Sequence, residues 1–420
     1  MDNLGHSLWH QQAHMPSAKA GRIVITSGHG AWLTTSDGRQ LLDTPAGLWH
    51  ANIGHGREEI ALAAADQIRK LETYHTFGRF TNEPALRLAD RIASMSPIPD
   101  GKVMLTSGGS DSVELACKLA RRHWQLHGHP ERRFILSRDH AYHGLHTFGT
   151  SITGLPYNRE GYGTESLVPE TARIDTHDIA VVRRQIEALG PDKVAAVIAE
   201  PVVGTGGVFG PTEGYFAGLQ AMAQEFGFLL IADEVITGFG RCGTMFGCER
   251  YGITPDIVTM AKGLTSGYAA LGAVVVAPTV AEAFFAGPDS PMFRHGLTYS
   301  GHATACVIAE ANLDIVEREG LVTRAAELEG LLVQALAPLA GHRCVAELRT
   351  GSGFLAGVRL ADGVSGDVVS SACIDEGIVM RLIHDNTLHI SPPFVVTDDE
   401  VALIGSTVLK VLDSYAEGVH

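Results

Sequence analysis

The sequence predicts an α/β fold: a mainly parallel sheet with interleaved helices, followed by a smaller α+β unit. Two apolar runs carry much of that expectation. Phe228-Leu229-Leu230-Ile231-Ala232 stops abruptly on Asp233 and Glu234, and Asp256-Ile257-Val258-Thr259-Met260-Ala261 ends in Lys262. Unbroken runs of this kind fit strands buried on both faces, as in a parallel sheet. The third observation is the rhythm from Val103 to Ala277, where such runs alternate with stretches of helical period. From Leu321 the composition shifts to helices around a strand pair.

In chain order, residues 23–26 and 31–34 flank Ser27-Gly28-His29-Gly30 and predict a hairpin. Ser36-Asp37-Gly38-Arg39 is a turn. Residues 47–56, with Leu48 and Trp49 among glycines, form a loop of the kind that turns a corner or lines a pocket. Residues 57–71 and 84–95 have helical period. Residues 103–105 are a short strand running into Thr106-Ser107-Gly108-Gly109-Ser110-Asp111-Ser112, then a helix with Val113, Ala116, Cys117, Leu119 and Ala120. Such a turn either cradles a phosphate on unpaired N–H groups or simply caps the helix. Residues 134–137 are a strand followed by Tyr142-His143-Gly144, and residues 156–171 read as a loop. Residues 194–199 are a strand that ends in Glu200-Pro201 and leads into Gly204-Thr205-Gly206-Gly207. A helix over 214–226 feeds the Asp233 strand, and residues 272–277 form the next strand. Helices at 303–319 and 323–339, strands at 345–348 and 355–360, and helices at 368–376 and 398–415 complete the chain.

The bulk numbers set bounds. The 420 residues suffice for two domains, and 45% hydrophobic with 19% charged residues is globular composition. A net charge of −15 argues against a nucleic-acid partner. No apolar stretch approaches the roughly 20 residues of a membrane helix, and the first residues carry no secretory signal, so a cytoplasmic location is expected. Six cysteines without CxxC spacing suit free thiols, and the 20 histidines, expected mostly at the surface or helix ends, show no metal-ligand spacing.

Asp233 and Lys262 would meet at the carboxyl ends of two buried strands, where open α/β sheets bind ligands. They form either an ion pair or a pyridoxal 5'-phosphate site, the lysine as Schiff base and the aspartate holding the pyridine nitrogen protonated. The ordered set Gly108-Gly109-Ser110, Tyr142-His143-Gly144, Glu200-Pro201, Asp233-Glu234-Val235, Lys262-Gly263, Thr298-Tyr299-Ser300-Gly301-His302 and Ser391-Pro392-Pro393 goes further. Over residues 32–412 the chain resembles the class III (ω-type) aminotransferases. The resemblance implies the aspartate-aminotransferase-like fold type I: a large domain, 56–305, with a mainly parallel seven-stranded sheet, and a small α+β domain from 1–55 and 306–420.

It also implies roles. Lys262 resembles the Schiff-base lysine, whose freed amine moves a proton and must be neutral to do so. Asp233 resembles the partner of the ring nitrogen, Val235 and Tyr142 the clamp on the ring faces, and Gly108, Gly109 and Ser110 the phosphate cup. His143 joins the cofactor contacts, and Glu200 supports the ring-oxygen side. Thr298 resembles the residue that reaches the phosphate from another subunit, which implies a homodimer or tetramer with sites at the interface.

Within the family, relatives of the ornithine and γ-aminobutyrate type carry a glutamate in the loop where this chain has Thr205. Its absence resembles the amine:pyruvate and β-alanine:pyruvate branch, with Trp49 and Leu48 lining the pocket and Phe77 as a second wall. Arg381 resembles the mobile arginine that binds a substrate carboxylate and swings out for an apolar amine. Two departures, His302-Ala303 and Tyr268-Ala269-Ala270, are expected near the cofactor, where they would widen the pocket. The implied reaction is a ping-pong transfer of an amino group from an amine or ω-amino acid to a keto acid, pyruvate in this branch. An aminomutase, a decarboxylating transaminase and a cofactor-free scaffold dimer are the alternatives; carbon dioxide release, an amine retained on its own substrate, or a colourless protein would distinguish them.

Overall fold

The longest run of strands buried on both faces lies in one sheet, and that sheet organises the rest. In the computed structural model, which describes residues 7–418, seven strands form the central sheet. They are β4 (Lys102–Thr106), β5 (Phe134–Arg138), β6 (Thr171–Ile174), β7 (Val194–Ala199), β8 (Leu229–Asp233), β9 (Ile257–Met260) and β10 (Gly272–Val276). Their order is β4-β10-β9-β8-β7-β5-β6, and β10 alone runs antiparallel to its neighbours. This is the mainly parallel seven-stranded sheet that the resemblance to fold type I implies.

The two-faced burial follows from the sequence. Every residue of β7 is buried, and alternate side chains enter different clusters. Val197 and Ala199 pack with Leu230 and Ala232 on one face, while Ala196 and Ile198 pack with Ile231 on the other. Burying each such aliphatic side chain contributes roughly 1.5–3 kcal/mol, which is why the central strands β7 and β8 carry no polar residue before their carboxyl ends.

Two smaller sheets flank this one. Antiparallel strands β1 (Ile25–His29), β2 (Trp32–Thr35) and β3 (Gln40–Leu42) precede it. The expected hairpin is present, but its turn is tighter than the four residues expected. The strand continues through Ser27-Gly28-His29, His29 faces Trp32, and Gly30 takes the bend with φ +57°. Strands β11 (Val345–Arg349), β12 (Ala356–Leu360), β13 (Arg381–Ile383) and β14 (Thr387–Ile390) follow, ordered β11-β12-β14-β13. Leu42 bridges to Ile378, and Leu42 and Ile53 share one apolar cluster with Phe354, Leu388 and Ile404. The N-terminal strands thus pack into the core of the C-terminal unit.

The expected helices recur within a few residues as Glu58–Lys70, Glu83–Met95, Gly109–Leu126, Tyr215–Phe226, Ala303–Arg318, Leu321–Leu336, Gly366–Asp375 and Asp398–Glu417. The expectation of a loop over 156–171 meets two short 3-10 turns, and β6 begins at its end. The six cysteines are free and buried. His123, His143 and His389 are buried rather than superficial. No helix among the described residues is long and apolar enough to cross a membrane.

Candidate active site

Polar residues that interrupt the apolar runs gather at one end of the sheet. Asp233 closes β8, Glu200 follows β7, Tyr142 and His143 follow β5, and Lys262 follows β9. Ser110 opens the Gly109–Leu126 helix after β4. Together with Gly109, Gly144 and Val235 they line a cavity of about 210 Å³ at the carboxyl ends of the parallel strands.

The acid doublet divides its labour. Glu234 is fully buried and turned away, accepting from the N–H groups of Gly247 (3.0 Å) and Cys248 (2.7 Å) and from the Thr237 hydroxyl. Asp233 faces the cavity and is 3% exposed. Its Oδ1 accepts from Thr259 Oγ1 (3.0 Å) and the Val235 N–H (3.1 Å), and its Oδ2 from His143 Nδ1 (2.6 Å). These three donors fix the carboxylate plane.

Lys262 sits just past β9 with φ +44°. Burial pushes its amine down to about 8, against the opposing pull of Asp233 and Glu200. About a tenth of it is then neutral at pH 7, against roughly three parts in ten thousand for an unperturbed lysine. The turn behind it is held by Asn312, fully buried, whose Nδ2 donates to Gly263 O (2.9 Å) and Leu264 O (3.0 Å). Replacing Asn312 by leucine should strand both carbonyls and cost about 2–4 kcal/mol in a urea titration; unchanged stability would remove this anchor.

The other end of the cavity suits an anion. The Gly109–Leu126 helix starts at Gly108 with no side chain taking its first N–H groups. Ser110 Oγ accepts from the Leu145 N–H at 3.3 Å. A Cβ on Gly109 would lie 2.8 Å from Val235, and one on Gly144, with φ +83°, would strike Ser110. Space is kept open where a phosphate would rest. Glu200, buried, accepts from the N–H groups of Tyr142 (3.1 Å) and Gly204 (3.0 Å), and burial raises its pKa. A partly neutral amine, a fixed carboxylate and an anion cradle in one cavity fit pyridoxal phosphate.

A second cavity of about 580 Å³ adjoins through Tyr142 and is lined by Leu48, Tyr157, Thr205, Arg381 and His384 among others. Trp49 is 2% exposed and stacks on His389 with centroids 3.5 Å apart. It belongs to a cluster with Ile236, which lines the first cavity, and Ile383, which lines the second. Phe77 and the exposed Thr298 do not line the Lys262 cavity. Phe77 borders a different hollow with Gly296 and Ser300.

The sequence profile of the family "Aminotransferase class-III" matches residues 15–412. The chain belongs to the class III aminotransferases. Among its relatives are the diaminobutyrate–2-oxoglutarate transaminase of Halomonas elongata, 36% identical over 90% of this chain and 87% of that one. The putrescine–pyruvate aminotransferase of Pseudomonas aeruginosa is 33% identical over 95% and 92%. The crystal structure of an amine transaminase from an uncultivated Pseudomonas species, in its PLP-bound form, superposes with a TM-score of 0.92 at 36% identity, covering 97% and 98% of the two chains.

In this aminotransferase the two departures from the family pattern do not touch the cavity. Tyr268 donates its hydroxyl to Gly54 O (2.9 Å) and receives the Arg57 N–H (2.9 Å), tying the N-terminal loop to the lysine turn. His302 caps the Ala303–Arg318 helix. The expectation that they widen the pocket is therefore corrected. Sequence reasoning also passed over two fully buried arginines. Arg241 donates to Phe354 O, Pro392 O and Asn52 Oδ1, and burial pushes it down to about 9. Arg138 donates to the Glu200 carbonyl and lies against the Tyr215 and Phe216 rings. An arginine closing an apolar run was the available signal for Arg138; Arg241, set among glycines, carried none.

Proposed function

We propose that this aminotransferase moves an amino group from an amine or ω-amino acid to pyruvate by a ping-pong mechanism through Lys262, with pyridoxal 5'-phosphate in the smaller cavity. The observation that carries the reading is the convergence of the Lys262 amine, the Asp233 carboxylate and the Ser110 helix start on that one cavity. Bound there, the cofactor would supply the electron sink for a carbanion at the amine-bearing carbon.

The chain's residues would do the rest. Lys262, neutral often enough at pH 7 to act as a base, would take the proton from that carbon and return it elsewhere. Asp233, braced by His143 and Thr259, would hold the ring nitrogen protonated. Tyr142 and Val235 would bracket the ring, Glu200 would support its oxygen side, and Gly108, Gly109 and Ser110 would seat the phosphate. Residues 56–305 are taken as the cofactor domain, with 1–55 and 306–420 as the small domain.

Pyruvate is favoured as acceptor by Thr205, which brings no acid to the second cavity, and by Arg381, which faces Tyr142 and Tyr157 there. Trp49 and Leu48 would shape that pocket. Arg381→Ala should raise KM for pyruvate at least about tenfold while the step with a carboxylate-free amine changes far less. Equal losses in both half-reactions would remove Arg381 from substrate binding.

A homodimer is part of the proposal. Thr298 is exposed, and Phe77, Phe80, Met292 and Tyr299 are 48–68% exposed. A second copy covering this apolar surface would carry Thr298 and Phe77 to its neighbour's site. The reaction is tested by incubating the purified protein with cofactor, a panel of amines and pyruvate, and measuring alanine. Alanine matching donor loss is expected. Carbon dioxide release, or an amino group shifted within its donor, would replace this reading with the decarboxylating or mutase one.

A further inference from the structure

The larger cavity holds a charge asymmetry. Arg381 and His384 both line it, with Tyr142, Tyr157 and Thr205, and among the described lining residues there is no aspartate or glutamate. The nearby acids are engaged elsewhere. Asp385 accepts from Arg359 Nε (2.8 Å) and Arg349 Nη2 (3.4 Å), Glu347 accepts from Arg349 (2.6 Å), and Glu200 is satisfied by two backbone N–H groups. Among the described residues Arg381 has no ion-pair partner, although it is largely withdrawn from solvent.

His384 is presented to this space by a stiff hairpin. It follows β13, and the turn to β14 places Asp385 and Asn386 at φ +58° and +49°. Asp385 is clamped by its two arginines, and Asn386 donates to Val364 O at 2.9 Å. The ring lies 5.7 Å from Tyr157 and 5.8 Å from His140, centroid to centroid. Burial, the facing His140 and Arg349 all disfavour a proton on His384, with Asp385 opposing them. The lining of the cavity therefore sets a neutral imidazole and a phenol in one space with a guanidinium.

We propose that this cavity selects amino donors by charge: it takes amines whose far end is neutral or anionic and rejects diamines, with His384 the specificity-determining residue of its lining. The inference rests on the transaminase reading of the site and adds the donor class to it. A second ammonium would share this space with Arg381 and meet no carboxylate among the described lining residues, and like charges so placed discriminate against it. A hydroxyl, an aromatic ring or a carboxylate finds a partner in Tyr157, His384 or Arg381.

The test compares 1-aminobutane, 4-aminobutanoate and 1,4-diaminobutane, which share a four-carbon chain. Each is mixed with the cofactor-loaded enzyme without keto acid, and the loss of the yellow cofactor absorbance is timed against amine concentration. The diamine is expected to react at least about 100-fold less efficiently than the monoamine. His384→Asp should raise the diamine-to-monoamine ratio about tenfold or more, because it supplies the missing carboxylate. His384→Asn, similar in reach and uncharged, should leave that ratio low and so separates charge from loosened packing. A wild-type diamine rate matching the monoamine, or equal ratios in the two variants, would overturn the inference and leave the transaminase reading standing. Failure of all three amines would overturn both.

Discussion

Replacing Lys262 with alanine is expected to lower turnover by at least about 10⁴-fold. The expectation follows from position and protonation together. The amine follows β9 into a cavity it shares with Asp233, and burial pushes it down to about 8. Among the described residues no other lysine lines either cavity. Arginine at this position would not substitute, since a guanidinium stays charged and cannot accept the proton. The fold should tolerate the change, because Gly263 and Leu264 remain tied to Asn312. A Lys262→Ala protein that keeps more than about 1% of wild-type turnover would remove the lysine from the chemistry. The rate at which the cofactor-free protein is trapped by an aldehyde plus a reductant gives a second readout. It should rise with pH through a midpoint near 8 and flatten about one unit above it, since the neutral amine is the reactive form and is half of the population at its pKa.

Asp233→Asn should carry the second largest effect, about a 10³-fold loss in kcat with the protein still folded. Asparagine keeps the size of the side chain and can accept from Thr259 and the Val235 N–H, but it brings no charge. It also offers an N–H₂ group where His143 Nδ1 donates, so the imidazole must change tautomer or turn. A ring nitrogen opposite an amide is not held protonated, and the carbanion then loses its sink. Asp233→Glu should not restore the rate, because the longer chain cannot occupy the plane fixed by three donors. A loss smaller than about tenfold in the asparagine variant would remove the ring-nitrogen role.

What could be read from the chain depended on burial. β7, β8 and β9 are covered on both faces, so each appears as an apolar run that stops at a charged residue. The same rule marked Glu200, Asp233 and Lys262 before any fold was known. β6 escaped because Thr171-Ala172-Arg173-Ile174 is short, lies at the sheet edge and carries an arginine. β13 and β14 escaped because their turn is Asp385-Asn386, with no glycine to announce it, and because His389 sits where an apolar residue would mark a core strand. His389 is nonetheless fully buried, and burial beside Arg381, Arg241 and Lys262 holds its pKa well below the usual histidine range.

Asn312 was invisible for another reason. An asparagine inside a helix reads as a weak helix former, and its use as a double donor to the lysine turn depends on a packing between the Ala303–Arg318 helix and the turn at Gly263. His384 was passed over likewise, since its place in the cavity depends on the hairpin that presents it. Trp49 was expected from its loop to line the pocket, but it lines neither cavity; it is buried against His389, a stacking that joins segments 340 positions apart.

The central claim is that Lys262 and Asp233 operate a resident pyridoxal phosphate for transamination. The most direct test is the absorption spectrum of the purified, cofactor-supplied protein as an amine is added and then pyruvate. The account predicts a yellow protein that bleaches on the amine and regains its colour on pyruvate, with Lys262→Ala doing neither at a comparable rate. A protein that stays colourless with cofactor supplied, or a yellow one that no amine bleaches, would contradict it.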